Sequence, residues 1–231
     1  MSPKNNTLLA SLSDDDYSAI TSDMALVSLT KGQTLFQIGE QPSHVHFPVG
    51  AIVSMMNDTP DGHTVEAHML GKNCMVGVGA VTQPSFYRAA VRSSGLAYRL
   101  PVKTLLDARS RCPSYMNNAQ EAMRRTMRQL AQNLICTKNH TVDQQVARWM
   151  LVTLDLSLSQ EILITHQELA DLLGFRREAI TRAVGRLEHL QSIALHRGVV
   201  TLLDRRQLEA ESCDCYWHGQ DKNRPAAPLG L

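Results

Sequence analysis

The densest chemistry in this 231-residue chain is Arg176-Arg-Glu-Ala-Ile-Thr-Arg182. Wound as a helix, Arg176, Arg177, Glu178, Thr181 and Arg182 share one face, while Ile180, Ala183 and Val184 share the other. An arginine fork can meet O6 and N7 of guanine, and a carboxylate can accept from N4 of cytosine. A helix reads the major groove with such groups on its first turns. A glutamate facing phosphates is repelled unless it meets a base or orients an arginine, so its place among arginines is informative. The plainer alternative is a charged face kept for solubility.

These side chains need a helix held at a fixed angle, and the flanking residues supply one. Thr165 followed by Glu168 is a capping box, which starts a helix at His166. The pattern runs through Leu169, Ala170, Leu172 and Leu173 to Gly174. A second helix begins around Arg176, with Ile180, Ala183, Val184, Leu187 and Leu190 as its apolar stripe. Ala170, Gly174 and Ile180 have helix-turn-helix spacing: a small residue at the crossing, a glycine at the turn and an apolar plug. An ordinary helical corner is the alternative. Ile193-Ala-Leu-His196, Arg197-Gly198 and Val199-Val-Thr-Leu-Leu203 then read as a hairpin, hence a wing. Asp204 opens a last short helix, with Gln207 in capping-box position.

Upstream, Met116, Ala119, Met123, Met127, Leu130, Leu134, Thr137 and Thr141 recur at steps of three and four, the period of a coiled-coil seam. A helix of about 25 residues is ~37 Å long, more than a small barrel covers, so a second copy is the expected partner. A core helix packed on its own barrel is the alternative. From Met24 to Pro101, short apolar runs alternate with glycines at 32, 39, 50, 62, 71, 77, 79 and 95, which predicts an antiparallel sandwich or barrel. Asp61-Gly62 reads as a hairpin turn. The predicted organisation is a β jelly-roll domain over 1–111, a dimerisation helix over 112–141 and a winged helix-turn-helix domain over 142–231, an α+β chain overall.

Composition narrows the classes. Hydrophobic content of 43% with 19% charged residues fits a folded globular chain and excludes a disordered one. No apolar run approaches about 18 residues, so no membrane partner is expected. The N-terminus shows no secretory pattern, which predicts a cytoplasmic protein. Five cysteines, at 74, 112, 136, 213 and 215, argue for reduced thiols. Cys213-x-Cys215 with His218 offers too few ligands for a metal site and reads as an incidental tail.

With these residues in place, the chain resembles the Crp/Fnr family of bacterial transcription regulators over nearly its whole length. The resemblance rests on Gly174-Phe-Arg-Arg-Glu-Ala-Ile-Thr-Arg182, on Lys31-Gly32, Gly39-Glu40, Gly50, Gly71, Gly77 and Arg88-Ala-Ala, and on the domain order. The closing segment from Leu203-Asp204 to Tyr216 is similar to a subgroup of that family. The resemblance implies that Arg177, Glu178 and Arg182 read bases in a half-site like TGTGA. It implies that Thr165, His166, Gln167, Arg176 and His196 hold phosphates. It also implies a homodimer on a palindromic duplex operator with half-sites ~34 Å apart, and RNA polymerase as the further partner of such a regulator. The dimer seam would be Met116, Met123, Met127, Leu130 and Leu134.

One departure concerns the effector. Cyclic-AMP-binding members carry a glutamate shortly after the glycine matching Gly77, and an Arg-Ser or Arg-Thr pair downstream. Here those positions are Val78 and Arg88-Ala89. A ligand hydroxyl deprived of its acceptor loses about 1–3 kcal/mol, so cyclic AMP is not the expected effector. No cysteine precedes Cys74, so no iron–sulfur cluster is expected. Two other functions compete. A metal-binding, cupin-like enzyme would use His44 with His46 and Glu66 with His68; haem at His44, His46, His63 or His68 is a related idea. An effector-independent regulator would keep the barrel as a scaffold. No catalytic residue is assigned.

Overall fold

Short runs of apolar residues broken by glycine give strands too brief to stand alone, and they stack into two sheets. The computed structural model describes residues 1–58, 62, 64–108 and 112–219. β1 (Ala25–Leu29), β7 (Gly95–Pro101) and β3 (His44–Pro48) form one antiparallel sheet in that order. β2 (Thr34–Phe36), β6 (Arg88–Ser93), β4 (Ile52–Asp58) and β5 (Thr64–Leu70) form the other. Alternation along β6 sets the faces. Ala89 and Val91 are buried with Leu29, Phe36, Val53 and Ala97 from both sheets, so Arg88, Ala90 and Arg92 lie on the outer side. β4 pairs with β5 as the hairpin reading expects, and Gly62 has φ +85°; Asp61 and His63 lie outside the described residues.

Three short helices absent from the sequence reading, α1 (Thr7–Ala10), α2 (Asp14–Thr21) and α3 (Val102–Ala108), cover the first sheet. Leu9, Ile20, Val45, Phe47, Leu100 and Leu105 share that core. Asp16 accepts from the Ser114 N–H at 2.8 Å and pins the start of α4 (Pro113–Asn139). With proline in its first turn and 27 residues, α4 is ~40 Å long. It ends sooner than the seam pattern predicts: His140 is extended, and Thr141 leaves the stripe to cap α5 (Val142–Leu156). The physical reason is the Thr141–Gln144 capping box, which starts a new helix where the old one would continue.

The remainder is a winged helix-turn-helix: β8 (Glu161–Leu163), α6 (His166–Leu173), α7 (Arg177–His189), β9 (Ile193–His196), β10 (Val199–Leu202), α8 (Arg205–Glu211) and α9 (Cys215–Gly219). β8, β10 and β9 form a sheet in that order. α5, β8 and α9 are additions to the sequence reading. α8 starts where expected, with the Asp204 carboxylate accepting from the Gln207 N–H, but it is not the last helix.

The two halves share one apolar core. Ile52, Met56 and Met69 of the barrel pack with Trp149, Met150 and Leu156 of α5. Gly71 makes this approach possible, because a Cβ there would lie 2.8 Å from Leu156 Cδ2. The Trp149 indole N–H donates to Glu66 Oε1 at 2.8 Å, and Ser54 meets the other carboxylate oxygen. Burial pushes the Glu66 carboxyl above its usual range, against the pull of these two donors. Lys31 binds Glu168 of α6 at 2.8 Å, and the Arg92 guanidinium lies 5.5 Å from the Trp149 ring centre. Among the described residues no helix is long and apolar enough to cross a membrane.

Candidate nucleic-acid interface

The angle between α6 and α7 is fixed by local rules. The Thr165 hydroxyl accepts from the Glu168 N–H at 3.1 Å, and the Thr165 N–H donates to Glu168 Oε2 at 2.8 Å. This is the predicted capping box. Gly174 ends α6 in the left-handed region, φ 71° and ψ 32°, where a side chain would be strained. Ala170 and Ile180 are buried at the crossing, with Ala183, Val184 and Leu187 continuing the buried face of α7.

That burial leaves the opposite face outward. Arg176, Arg177, Glu178, Thr181 and Arg182 are all exposed. Among the described residues, the side chains of Arg177, Glu178 and Arg182 form no hydrogen bond or ion pair. No side chain caps α7, so its first N–H groups also face outward without a side-chain acceptor. Thr181 differs: its hydroxyl donates to the Arg177 carbonyl at 3.0 Å and lies 3.0 Å from His166 Nδ1. The hydroxyl proton being spent, the imidazole donates from Nδ1. Thr181 therefore braces α6 against α7.

The phosphate set divides. Thr165 and His166 are held within the motif, and Gln167 donates to Asp171 at 2.8 Å. Arg176 and His196 are exposed and uncommitted among the described residues. Arg197, at the wing tip with φ 47°, adds an exposed cation that the sequence reading treated only as a turn residue.

The effector region is altered beyond the missing glutamate. Arg88 does not face the barrel interior; it pairs with Asp58 at 3.2 Å on the outer side. Tyr87 points inward instead, accepting the Gly77 N–H at 3.3 Å and packing edge-on against Phe36 and Phe86. Gly77 lies against Phe36 and Val45, Val78 packs on the core beneath α1 and α3, and Ala89 is fully buried. The family pattern keeps an arginine at position 88, in a pocket whose glutamate and hydroxyl are replaced by Val78 and Ala89. Strand alternation turns Arg88 away, and Tyr87 was missed.

On α4 the predicted stripe is split. Met116 and Ala119 pack on the barrel core, whereas Met123, Met127 at 69% exposure and Leu134 at 60% face outward with Ile135. Leu130 is half-buried between them. The histidines of the competing cupin reading do not converge. His44 and His46 lie on β3, Glu66 and His68 on β5 in the other sheet, and Glu66 is committed to Ser54 and Trp149.

A two-sheet barrel, a long connecting helix and a winged helix-turn-helix with an uncommitted basic and acidic face define a DNA-binding transcription regulator. Residues 26–112 match the family model of the cyclic nucleotide-binding domain, and residues 144–211 that of the Crp-like helix-turn-helix domain. The chain belongs to the Crp/Fnr family. It is 24% identical over 204 residues to a CRP-like cAMP-activated global transcriptional regulator of Mycobacterium tuberculosis, covering 82% of this chain and 89% of that one. Its fold is like that of a CRP-family regulator from Thermus thermophilus, with TM-score 0.67, 20% identity and coverage of 80% and 96%. FixK2 from Bradyrhizobium japonicum gives TM-score 0.70, 14% identity and coverage of 82% and 98%.

Proposed function

We propose that this regulator acts as a cytoplasmic homodimer, paired through α4, that reads a palindromic operator with Arg177, Glu178 and Arg182. The observation that carries this reading is their uncommitted, outward position on the first two turns of α7, opposite a buried stripe. Arginine forks and a carboxylate left without partners among the described residues, on the first two turns of a groove-entering helix, suit base edges. Arg176, His196 and the backbone N–H groups opening α6 hold phosphates. Thr165, His166 and Gln167 act mainly by setting the α6 position.

The seam is Met123, Met127, Leu130 and Leu134, with Ile135 added and Met116 contributing through the barrel. Residues 1–111 form the sensor half, 112–141 the dimerisation helix and 142–231 the reading half. The M. tuberculosis relative is cAMP-activated, but here Val78, the outward Arg88 and the inward Tyr87 disfavour a cyclic phosphate. The protein is not an enzyme in this reading, and RNA polymerase is its partner at the promoter. Selection of bound fragments from random duplex should yield a two-fold symmetric site with half-sites one turn apart. Enrichment of no sequence at moderate salt overturns the proposal.

A further inference from the structure

The end of α4 and the start of α9 meet in a cluster that the DNA-reading role leaves unexplained. Cys136 lies in the last turn of α4, and His140 follows one helical turn later. Cys213 and Cys215 arrive from the other side of the winged-helix domain, flanking the start of α9. All three thiols are buried, not part of a loose tail. The four donor atoms lie within 4.8 Å of one another. Cys136 Sγ is 3.5 Å from Cys213 Sγ, and Cys215 Sγ is 3.4 Å from His140 Nδ1. A tetrahedral ion with bonds of about 2.3 Å to sulfur and about 2.0 Å to nitrogen needs its ligands roughly 3.5–3.8 Å apart.

We propose that Cys136, His140, Cys213 and Cys215 hold one thiophilic divalent cation of the zinc(II) class, in a closed four-ligand site. Soft thiolates with one imidazole select zinc over the oxygen-seeking cations, and four protein ligands mark a structural site, not a catalytic one. The surroundings agree. Gln132 donates its amide N–H to Cys215 Sγ at 2.8 Å, and Gln145 donates to the His140 carbonyl at 2.9 Å, fixing the ligand residue from behind. Arg148 is held by Asn133 at 2.7 Å, with its Nε buried and unpartnered. A dication with three thiolates carries one net negative charge, which this guanidinium offsets. His218, the sequence's nearest candidate, instead faces the Asp214 carbonyl at 3.0 Å. The ion would tie the extended residue between α4 and α5 to the end of the reading half, so occupancy sets how firmly α7 is held relative to the dimer helix.

The test uses the full chain, purified under reduction and stripped with chelator. Titration with cobalt(II) should saturate at about one equivalent, with thiolate-to-metal absorption in the near ultraviolet and the strong visible bands of tetrahedral cobalt. Zinc(II) should displace it without further proton release, whereas zinc(II) added directly to the stripped protein should release protons from the thiols. Cys213→Ser and Cys136→Ser should each lose thiolate absorption, while Cys74→Ser and Cys112→Ser bind normally. Gln132→Ala removes only a supporting donor and should weaken binding about 10–100-fold with the fold intact by circular dichroism. Folded, reduced wild-type protein without saturable cobalt or zinc binding overturns the site. So does a cobalt spectrum lacking thiolate absorption, or a Cys136–Cys213 disulfide in protein taken from a reducing cytoplasm.

Discussion

The barrel interior and the outer face of α7 treat their polar groups in opposite ways. In the barrel, Tyr87 takes the Gly77 N–H, Arg88 is paired with Asp58 outside, and Ala89 fills space. On α7, buried Ile180 and Leu187 anchor the helix, while the side chains of Arg177, Glu178 and Arg182 have no partner among the described residues. A polar group satisfied internally has little left to offer a ligand, whereas an exposed one on a well-anchored helix can exchange its water for a ligand. Under the proposed function, the contrast assigns recognition to the C-terminal half and disfavours a cyclic nucleotide as the ligand of the N-terminal half.

The strongest way to break this contrast is to separate the two reading heads. Met127→Glu with Leu130→Glu places charge in the seam, and sedimentation should show monomers. Affinity for the full palindrome should then fall about a thousandfold or more, toward non-specific binding. An intact dimer would reject this seam.

Next in size is a cost inside the barrel. Burial, then the charges of His44 and Arg99, hold His46 down at about 4 from an ordinary 6.5. Below pH 6.5 the unfolded chain takes up this proton and the folded chain does not until about 4. Stability is therefore full above 6.5 and declines between those values, by on the order of 3 kcal/mol. Urea midpoints from neutral pH to 4.5 should show the decline. Burial, then the charge of Arg148, holds His68 down to about 4 as well, so His46→Gln should remove only part of the decline, and an unchanged slope would remove His46 as a cause.

Arg182→Ala should cost about 1–3 kcal/mol on the selected operator and relax preference at one base pair. Uniform weakening on every sequence would show a phosphate contact instead. The smallest effects belong to the effector region of the barrel. Arg88→Ala should change stability by less than about 1 kcal/mol, as for an exposed ion pair, and leave operator binding alone. Calorimetric titration with cyclic AMP should show no saturable heat below millimolar; micromolar binding would erase the contrast between the halves.

The helix-turn-helix was legible because its determinants are local. Thr165 and Glu168 lie three residues apart, Gly174 needs a left-handed turn, and Ile180 is the fourth residue of α7, which Arg177 opens in place of Arg176. The barrel was legible as a class, but β2 and β6 carried too few apolar residues to stand out. Which way Arg88 points depends on pairing with β4, which no short window contains. The four-donor cluster was hidden for the same reason: its halves are separated by the whole reading domain, and only the packing of α9 on α4 unites them. Thr141 fitted a heptad step and failed because its hydroxyl had a nearer use as a cap.

Trp149 and Leu156 face the barrel, not the body of the winged helix alone, with Glu66 receiving the indole proton. A gene fragment starting at Val142 would wet that tryptophan and the leucine beside Gly71, and strand the indole N–H in water. Such a truncation is a poor vehicle for footprinting or crystallisation with operator duplex, and the full chain, with the barrel that covers Trp149, is the better choice.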